Sequence, residues 1–437
     1  MYNRLGSNQN LATDSGQVEA HTGDLRDFKR RFANAAARIR QASAADQRQF
    51  QEKLIRRVAD TRNLRLAWNY LASHGGEAAG PDEQTYADFD RDAVWDLLRG
   101  IRQKLLAGSY SPGPERPQPI SKGPGRGLRT LCIQNIQDRV VQRAIVQILQ
   151  PLVDPRFDPR SFGSRPKKGH LHALALAQAI ARAEDRFLWV AEDVRDAFDN
   201  VPLNRLLDPV RTFVPNDDFL GLVRCVIANP TMTGLRQGGS LSPLLLNIYL
   251  HHFLDRVWRQ RHPGIPLIRV VDDILLLCRD WGEAAVAYRD LQRLLGDAAL
   301  SLKGNVNSSL FDLETGDAVN WLGFRVTQFQ GRFRYGLPDK AFGQLAENLA
   351  LAHTKPDSPL RAIDAIHGWV DQIGPAFPSS SGGMDQAYSH IHTLAAAEAF
   401  DEIPHQAALM ERWRKSHRRW QVLVKRTQAQ VDATGRS

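Results

Sequence analysis

Three carboxylates, far apart in the chain, are of the right type for chemistry. Asp272 and Asp273 sit together in LIRVVDDILLLCRD, residues 267–280. Apolar and β-branched residues on both sides favour strands, and an Asp-Asp pair suits the tight bend of a hairpin. Asp193 lies near the end of a second apolar run, FLWVAEDVRDAFDN, residues 187–200. Two strands side by side in one sheet would bring Asp193 to the Asp-Asp bend. Such a set of oxygen ligands suits two Mg²⁺ ions roughly 3.5–4 Å apart, with Mn²⁺ able to substitute. One ion would activate an attacking oxygen, and the other would hold phosphates and a leaving group. Asp pairs also occur at exposed turns, so the assignment depends on the elements around them.

The 437 residues suffice for two or three domains with a sizeable core. A formal net charge of +9 suggests a polyanionic partner. Cys132, Cys225 and Cys278 are scattered without a paired-cysteine motif. Neither a zinc site nor a disulfide framework is expected, and buried thiols in a reducing cytoplasm are. The start has no secretory apolar segment, and no run of roughly eighteen apolar residues occurs. A soluble cytoplasmic protein without membrane contact is the expectation.

Residues 1–24 are polar and are expected to be disordered. Helices are expected over 25–58, with a basic first part, over 63–72 and over 86–107. Residues 108–130, GSYSPGPERPQPISKGPGRGLRT, read as a mobile basic loop, with Lys122, Arg126 and Arg129 as phosphate contacts. A helix follows over 136–153. The turn-rich SFGSRPKKGH, 161–170, offers Arg165, Lys167 and Lys168 to a triphosphate or a template strand. After a helix at 171–182 comes the Asp193 strand, then helical residues 203–228. Glycines 234, 238 and 239 allow close backbone approach before a helix over 244–258. Beyond the Asp-Asp hairpin a helix is expected over 281–299, then strands and turns to about 336. Helices should occupy 338–353, 359–375 and 386–428, the last ending very basic.

In this order the motifs resemble those of bacterial reverse transcriptases of the group II intron-like lineage, over roughly residues 60–375. NLRLAW with GPD around Asp82, GSYSPGP, GRGLRTLCI and QDRVVQRA look like the upstream blocks. SFGSRP follows, then DVRDAFDN at 193–200, GLRQGGSLSPLLLNIYLHHFLD at 234–255, RVVDDILLL, WLGFRV at 321–326 and HGWV at 367–370. The resemblance implies an α+β right-hand polymerase fold, with a palm of antiparallel sheet and packed helices. Its parts would be a basic helical extension at 1–60, fingers with the start of the palm at 61–185, palm at 186–335 with 205–232 between motifs, and a helical thumb with a basic extension at 336–437. Asp193 and Asp272 would be the principal metal ligands, with Asp273 assisting and the Val194 carbonyl meeting the nucleotide-side ion. Phe198 would gate against the ribose 2′-hydroxyl. Gln237 and Gly238 would shape the nucleotide pocket, Arg129 and Arg165 would touch the triphosphate, and Lys303 would act near pyrophosphate. Arg236, Trp321 and Gly323, with Lys122, Arg126, Lys167 and Lys168, would meet nucleic acid.

The sequence also departs from the family's pattern. Val270-Val271 replaces the usual tyrosine-alanine, Arg236 a proline, and NVN at 305–307 stands where a lysine-bearing string is usual. A His-Asn-His endonuclease, the retron signatures and the serine-glutamine form of the diversity-generating group are not found. What the resemblance implies is an RNA-directed DNA polymerase using dNTPs, an RNA template and a DNA product or RNA–DNA hybrid. A structured noncoding RNA in antiphage defence is the favoured setting, and self-association stays open. The alternatives are an endonuclease-less maturase-like RNA-binding protein and a template-independent or protein-primed polymerase.

Overall fold

The computed structural model describes residues 15–76, 78–121, 128–229, 232–354, 357–377 and 382–434. The chain opens with α1 (Ser15–Arg40), α2 (Ala44–Glu52), α3 (Leu54–Val58), α4 (Thr61–His74) and α5 (Arg91–Leu106). Side chains fix several starts. Ser43 accepts from the Asp46 amide, Asp60 from Arg62 and Asn63, and Asp90 from Ala93. Each fills donors that the first helical turn leaves open. Residues 15–24, expected to be disordered, are helical; residues 1–14 lie outside the described residues.

The segment read as a mobile loop instead forms a two-stranded antiparallel ribbon, β1 (Glu115–Ser121) with β2 (Leu128–Gln134). Pro117 and Pro119 are tolerated because they stand two apart in an edge strand, so both missing amide donors fall on one side. Lys122 and Arg126 lie outside the described residues.

The central part alternates helices and strands: α6 (Ile136–Val153), β3 (Ser161–Phe162), α7 (His170–Glu184), β4 (Leu188–Asp193), α8 (Ala197–Asn200), α9 (Leu203–Phe213), α10 (Asp217–Ile227), α11 (Ser242–Leu250), a π-helical turn at His251–Asp255, and α12 (Arg256–Arg261). Then come β5 (Leu267–Val270), β6 (Asp273–Cys278), α13 (Trp281–Asp297), α14 (Val306–Ser309), β7 (Leu310–Asp312), β8 (Val319–Trp321), β9 (Phe324–Phe329) and β10 (Arg332–Gly336). The chain finishes with α15 (Asp339–Ala352), α16 (Ser358–Gln372), α17 (Gly383–Ala397) and α18 (Gln406–Thr434). The expected helix over 386–428 is thus two helices with a break between them.

Five strands form the main sheet in the order β3-β5-β6-β4-β7, antiparallel except for β3 with β5. Strand alternation sends successive side chains to opposite faces. Leu188, Val190, Ile274 and Leu276 enter one core with helices α6, α11 and α13. Trp189, Leu275, Leu277 and Ile268 enter a second core shared with α7, the β8–β10 sheet and helices α15 to α18. Burial of each large apolar side chain stabilises by about 1.5–3 kcal/mol, so both faces clamp the sheet. This mixed fold of antiparallel sheets and packed helices holds the acidic strand ends in a fixed register. No helix among the described residues is long and apolar enough to cross a membrane.

Candidate active site

Strand register brings the acidic residues together. Asp193, the last residue of β4, pairs with Asp273, the first of β6. Val270 also pairs with Asp273 across the hairpin, which leaves Val271 and Asp272 as its two-residue turn. Val271 sits at φ 61°, a left-handed conformation that a β-branched residue resists. Two backbone hydrogen bonds and one from a side chain hold the turn there. Val271 N donates to Phe162 O at 3.3 Å, Val194 N donates to Asp272 O at 3.1 Å, and Arg269 donates to Val271 O at 2.7 Å. Gly163 lies directly beneath. Its φ is 78°, and a Cβ there would fall 2.5 Å from Val271 Cγ2.

Arg269 is fully buried below this turn. Its guanidinium reaches both oxygens of Asp255, at 2.8 and 2.6 Å, Asn247 Oδ1 at 2.9 Å and Ser161 Oγ at 2.9 Å. A buried charge is stable only when paired and hydrogen-bonded in this way. Burial alone would raise the Asp255 carboxyl, but the Arg269 guanidinium overcomes that and holds it below the usual carboxylate range. Asp255 belongs to the π-helical turn, so an irregularity in the helix aims the carboxylate at the strand. Neither Arg269 nor Asp255 is among the residues singled out by sequence. The signal was a lone arginine inside the apolar run LIRVV, which a buried strand admits only with a partner.

The three carboxylates share one electrostatic neighbourhood. Burial, then the charge of Asp193, pushes Asp272 up to about 6. Burial, then Asp272 and Asp193, pushes Asp273 up to about 7. Asp193 is raised by burial, against the pull of Lys303. Mutual repulsion of this kind is what a divalent cation relieves. Among the described residues, no three Asp, Glu, His or Cys side chains are already grouped as a metal cage. The donor chemistry nevertheless fits a hard cation, with oxygen ligands available from Asp193, Asp272 and Asp273. Lys303 Nζ stands 3.5 Å from Asp193 Oδ2. Lys340, from the first turn of α15, adds a second positive charge felt by Asp193 and Asp273; it was not picked out from the sequence.

Other expected residues divide into two groups. Gln237 is tied to α8 and the ribbon, its Nε2 donating to both oxygens of Asp199 at 2.9 Å and its backbone carbonyl accepting from Cys132 N at 2.9 Å. Gly238 has φ 101° and approaches the Cys132 carbonyl. Phe198 is half-buried against the first core. Val194 is buried at the end of β4, bridged to Leu302. Lys167 is exposed, and Lys168 donates to Pro159 O at 2.9 Å. The backbone of Arg129 pairs with Ile120 in the ribbon.

Three residues expected to face substrate are turned inward. Arg165 is buried, paired with Asp154 at 2.7 Å and donating to the Asp158 and Ser161 carbonyls at 2.8 and 2.6 Å. Its donors brace the 154–165 turn and are not presented to a triphosphate. Arg236 pairs with Glu115 and donates to Val226 O at 2.8 Å, which ties the loop before α11 to β1 in place of a nucleic-acid contact. Trp321 is buried edge-on against Trp189, with centroids 6.4 Å apart, so it is core. Gly323, at φ 85°, makes the β8–β9 turn.

Residues 120–326 match the reverse transcriptase (RNA-dependent DNA polymerase) family. Protein YkfC of Escherichia coli is 28% identical over 282 residues, spanning 55% of this chain and 73% of that protein. The group II intron-encoded protein LtrA of Lactococcus lactis is 29% identical over 198 residues, spanning 43% of this chain and 32% of that protein. The match therefore covers about a third of the intron protein. Among solved structures, a partial Cas6-RT-Cas1–Cas2 complex has 20% identity and a TM-score of 0.34, over 56% of this chain and 41% of that one. By the residues matched and the relatives they share, the chain is similar to reverse transcriptases of the group II intron-like kind.

Proposed function

We propose that the protein is an RNA-directed DNA polymerase that extends a 3′ end with dNTPs by two-metal nucleotidyl transfer on an RNA it binds. The observation that carries this reading is the Asp193–Asp273 register, with Asp272 in the adjoining turn. Asp193 and Asp272 would hold the ions, with Asp273 assisting and the Val194 carbonyl on the nucleotide side. Mg²⁺, when bound, supplies charge that activates the attacking oxygen and stabilises the leaving group. In this reading residues 61–185 act as fingers, 186–335 as palm and 336–437 as thumb, behind the 1–60 extension. Phe198 presents a flat wall to a ribose 2′-hydroxyl. Gln237 and Gly238 border the nucleotide, and Lys303 offsets negative charge beside Asp193. The test is nucleotide incorporation on an RNA template by the Asp272→Ala/Asp273→Ala protein. It should fold, bind RNA and incorporate nothing; incorporation at the wild-type rate overturns the metal-site reading.

The relatives named for introns favour a second reading over the antiphage one: a maturase-like protein that binds intron RNA and assists splicing. Sequencing the nucleic acids that copurify with the full chain separates them. Intron RNA supports the maturase reading. A distinct noncoding RNA with its complementary DNA supports the free-standing polymerase.

A further inference from the structure

We propose that Glu192 is a positioning residue. It clamps the 301–309 segment to the end of β4 and thereby keeps the Lys303 ammonium beside Asp193. The use made of Lys303 rests on the polymerase reading above; the clamp itself does not.

Alternation along β4 separates the two neighbouring acids. Leu188 and Val190 enter the first core and Trp189 the second, so Glu192 turns to the α13 side while Asp193 turns away from it. Glu192 is buried. Its Oε1 accepts from Tyr288 Oη at 3.3 Å and from Ser309 Oγ. Its Oε2 accepts from the amides of Gly304 and Asp193, both at 3.2 Å. An ionised carboxylate has about four lone-pair sites, and all are engaged here. Glu192 is therefore not a fourth ligand for the cations. Two of its donors, Gly304 and Ser309, stand before and at the end of α14, the short helix that follows Lys303.

The same segment is fastened on its other side. Lys303 N donates to Asp193 O at 2.9 Å, and Arg195 N donates to Ser301 O at 2.8 Å. The Arg195 guanidinium reaches Leu302 O at 3.4 Å and Lys303 O at 3.1 Å. Backbone on both sides of Lys303 is thus tied to the strand that carries Asp193. Position 304 must lack a side chain for this to work, because a Cβ there would lie 2.9 Å from Glu192 Oε1 and 3.0 Å from Ser309 Oγ. Lys303 is itself well exposed, with 65% of its side chain accessible. With most of the side chain accessible, its backbone anchors set where the charge can reach.

The experiment is acylation of surface amines in the full chain with an N-hydroxysuccinimide ester, read at Lys303 by mass spectrometry. The variants are Glu192→Gln, Gly304→Ala and Ser309→Ala. In Glu192→Gln an amide nitrogen, which cannot accept, replaces one of two oxygens that each accept twice; the alanine Cβ collides with the carboxylate; and Ser309→Ala deletes one donor and is the mildest should the others fail to fold. The labelling rate of Lys303, taken relative to exposed Lys167 and Lys425 in the same chain, should differ at least twofold from wild type in each folded variant, because the ammonium is no longer held beside Asp193. Unchanged labelling of Lys303 overturns the clamp. Single-turnover dNTP incorporation gives the second arm. The loss in Glu192→Gln should match that in Lys303→Ala, and the double variant should lose no more than either. Additive losses overturn the proposal, because Glu192 would then act elsewhere. A wild-type chain that incorporates no nucleotide sinks the polymerase reading, and the labelling still decides the clamp.

Discussion

One buried guanidinium holds up the acidic turn, and its energetics can be measured. Removing either partner of the Arg269–Asp255 pair leaves an uncompensated buried charge or unfilled donors. Such a loss costs about 3–5 kcal/mol. Asp255→Asn should lower stability by that order, read as a fall in the denaturant midpoint at constant slope. The pH dependence has a definite sign. Because the folded carboxyl is held below its unfolded value, near 3.9, its contribution is complete above the unfolded value and disappears as pH falls through the folded one. The stability gap between wild type and Asp255→Asn should therefore be constant near neutrality and close below about pH 4. A gap that persists into acid would show that the pair does not titrate as a unit. The convergence of Asp193 on Asp272 and Asp273 was legible in the sequence because each acid stands at the end of an apolar, strand-forming run. Arg165 and Arg236 were misread because a guanidinium looks available in a sequence, and only the fold reveals that Arg165 is held by Asp154 and the Asp158 and Ser161 carbonyls, and Arg236 by Glu115 and the Val226 carbonyl.

At the scale of elements, α18 carries two chemically different faces. Leu409, Trp413 and Trp420 are buried in the second core. Arg414, Lys415, Arg418, Arg419, Lys425 and Arg426 are exposed. Truncation before Gln406 strips three large apolar side chains from that core, each worth about 1.5–3 kcal/mol. The truncated chain should aggregate or lose its cooperative thermal transition. Reversing charge on the outer face, with Arg414→Glu, Arg418→Glu and Lys425→Glu together, should leave the melting temperature within a few degrees of wild type. It should weaken RNA binding at least tenfold in a filter-binding assay. If truncation is harmless, the helix is not part of the core; if charge reversal is silent, its outer face does not meet RNA. Long helices such as α6 and α13 were readable from apolar periodicity, which survives without tertiary context. The β1–β2 ribbon was not. Its prolines and the glycines beside it argue against strand locally, and only pairing with β2 overrides them. The break between α17 and α18 was equally hidden, because both helices send apolar side chains to one core.

At the scale of the whole molecule, the cationic helices and the acidic strand ends are different elements of the fold. The net charge of +9 is carried partly by α1, with Arg26, Lys29, Arg30, Arg31, Arg38 and Arg40, and by α18 far along the chain. The acidic group is confined to the ends of β4 and β6. Binding and chemistry should therefore respond to different ions. Each phosphate contact releases counterions, so log K should fall linearly with log salt. For some 6–10 contacts the loss is about 10³–10⁵ between 50 and 200 mM. Chelation of divalent ions at fixed ionic strength should stop dNTP incorporation and leave the RNA dissociation constant within about threefold, since binding draws on the cationic helices and not on the carboxylates. Salt titration with and without chelator, on the same RNA, makes the comparison. Parallel lines displaced by little support the separation. If chelation removes binding as completely as it removes incorporation, RNA is held through the acidic site by way of the metal, and the cationic helices are an ordinary solvated surface.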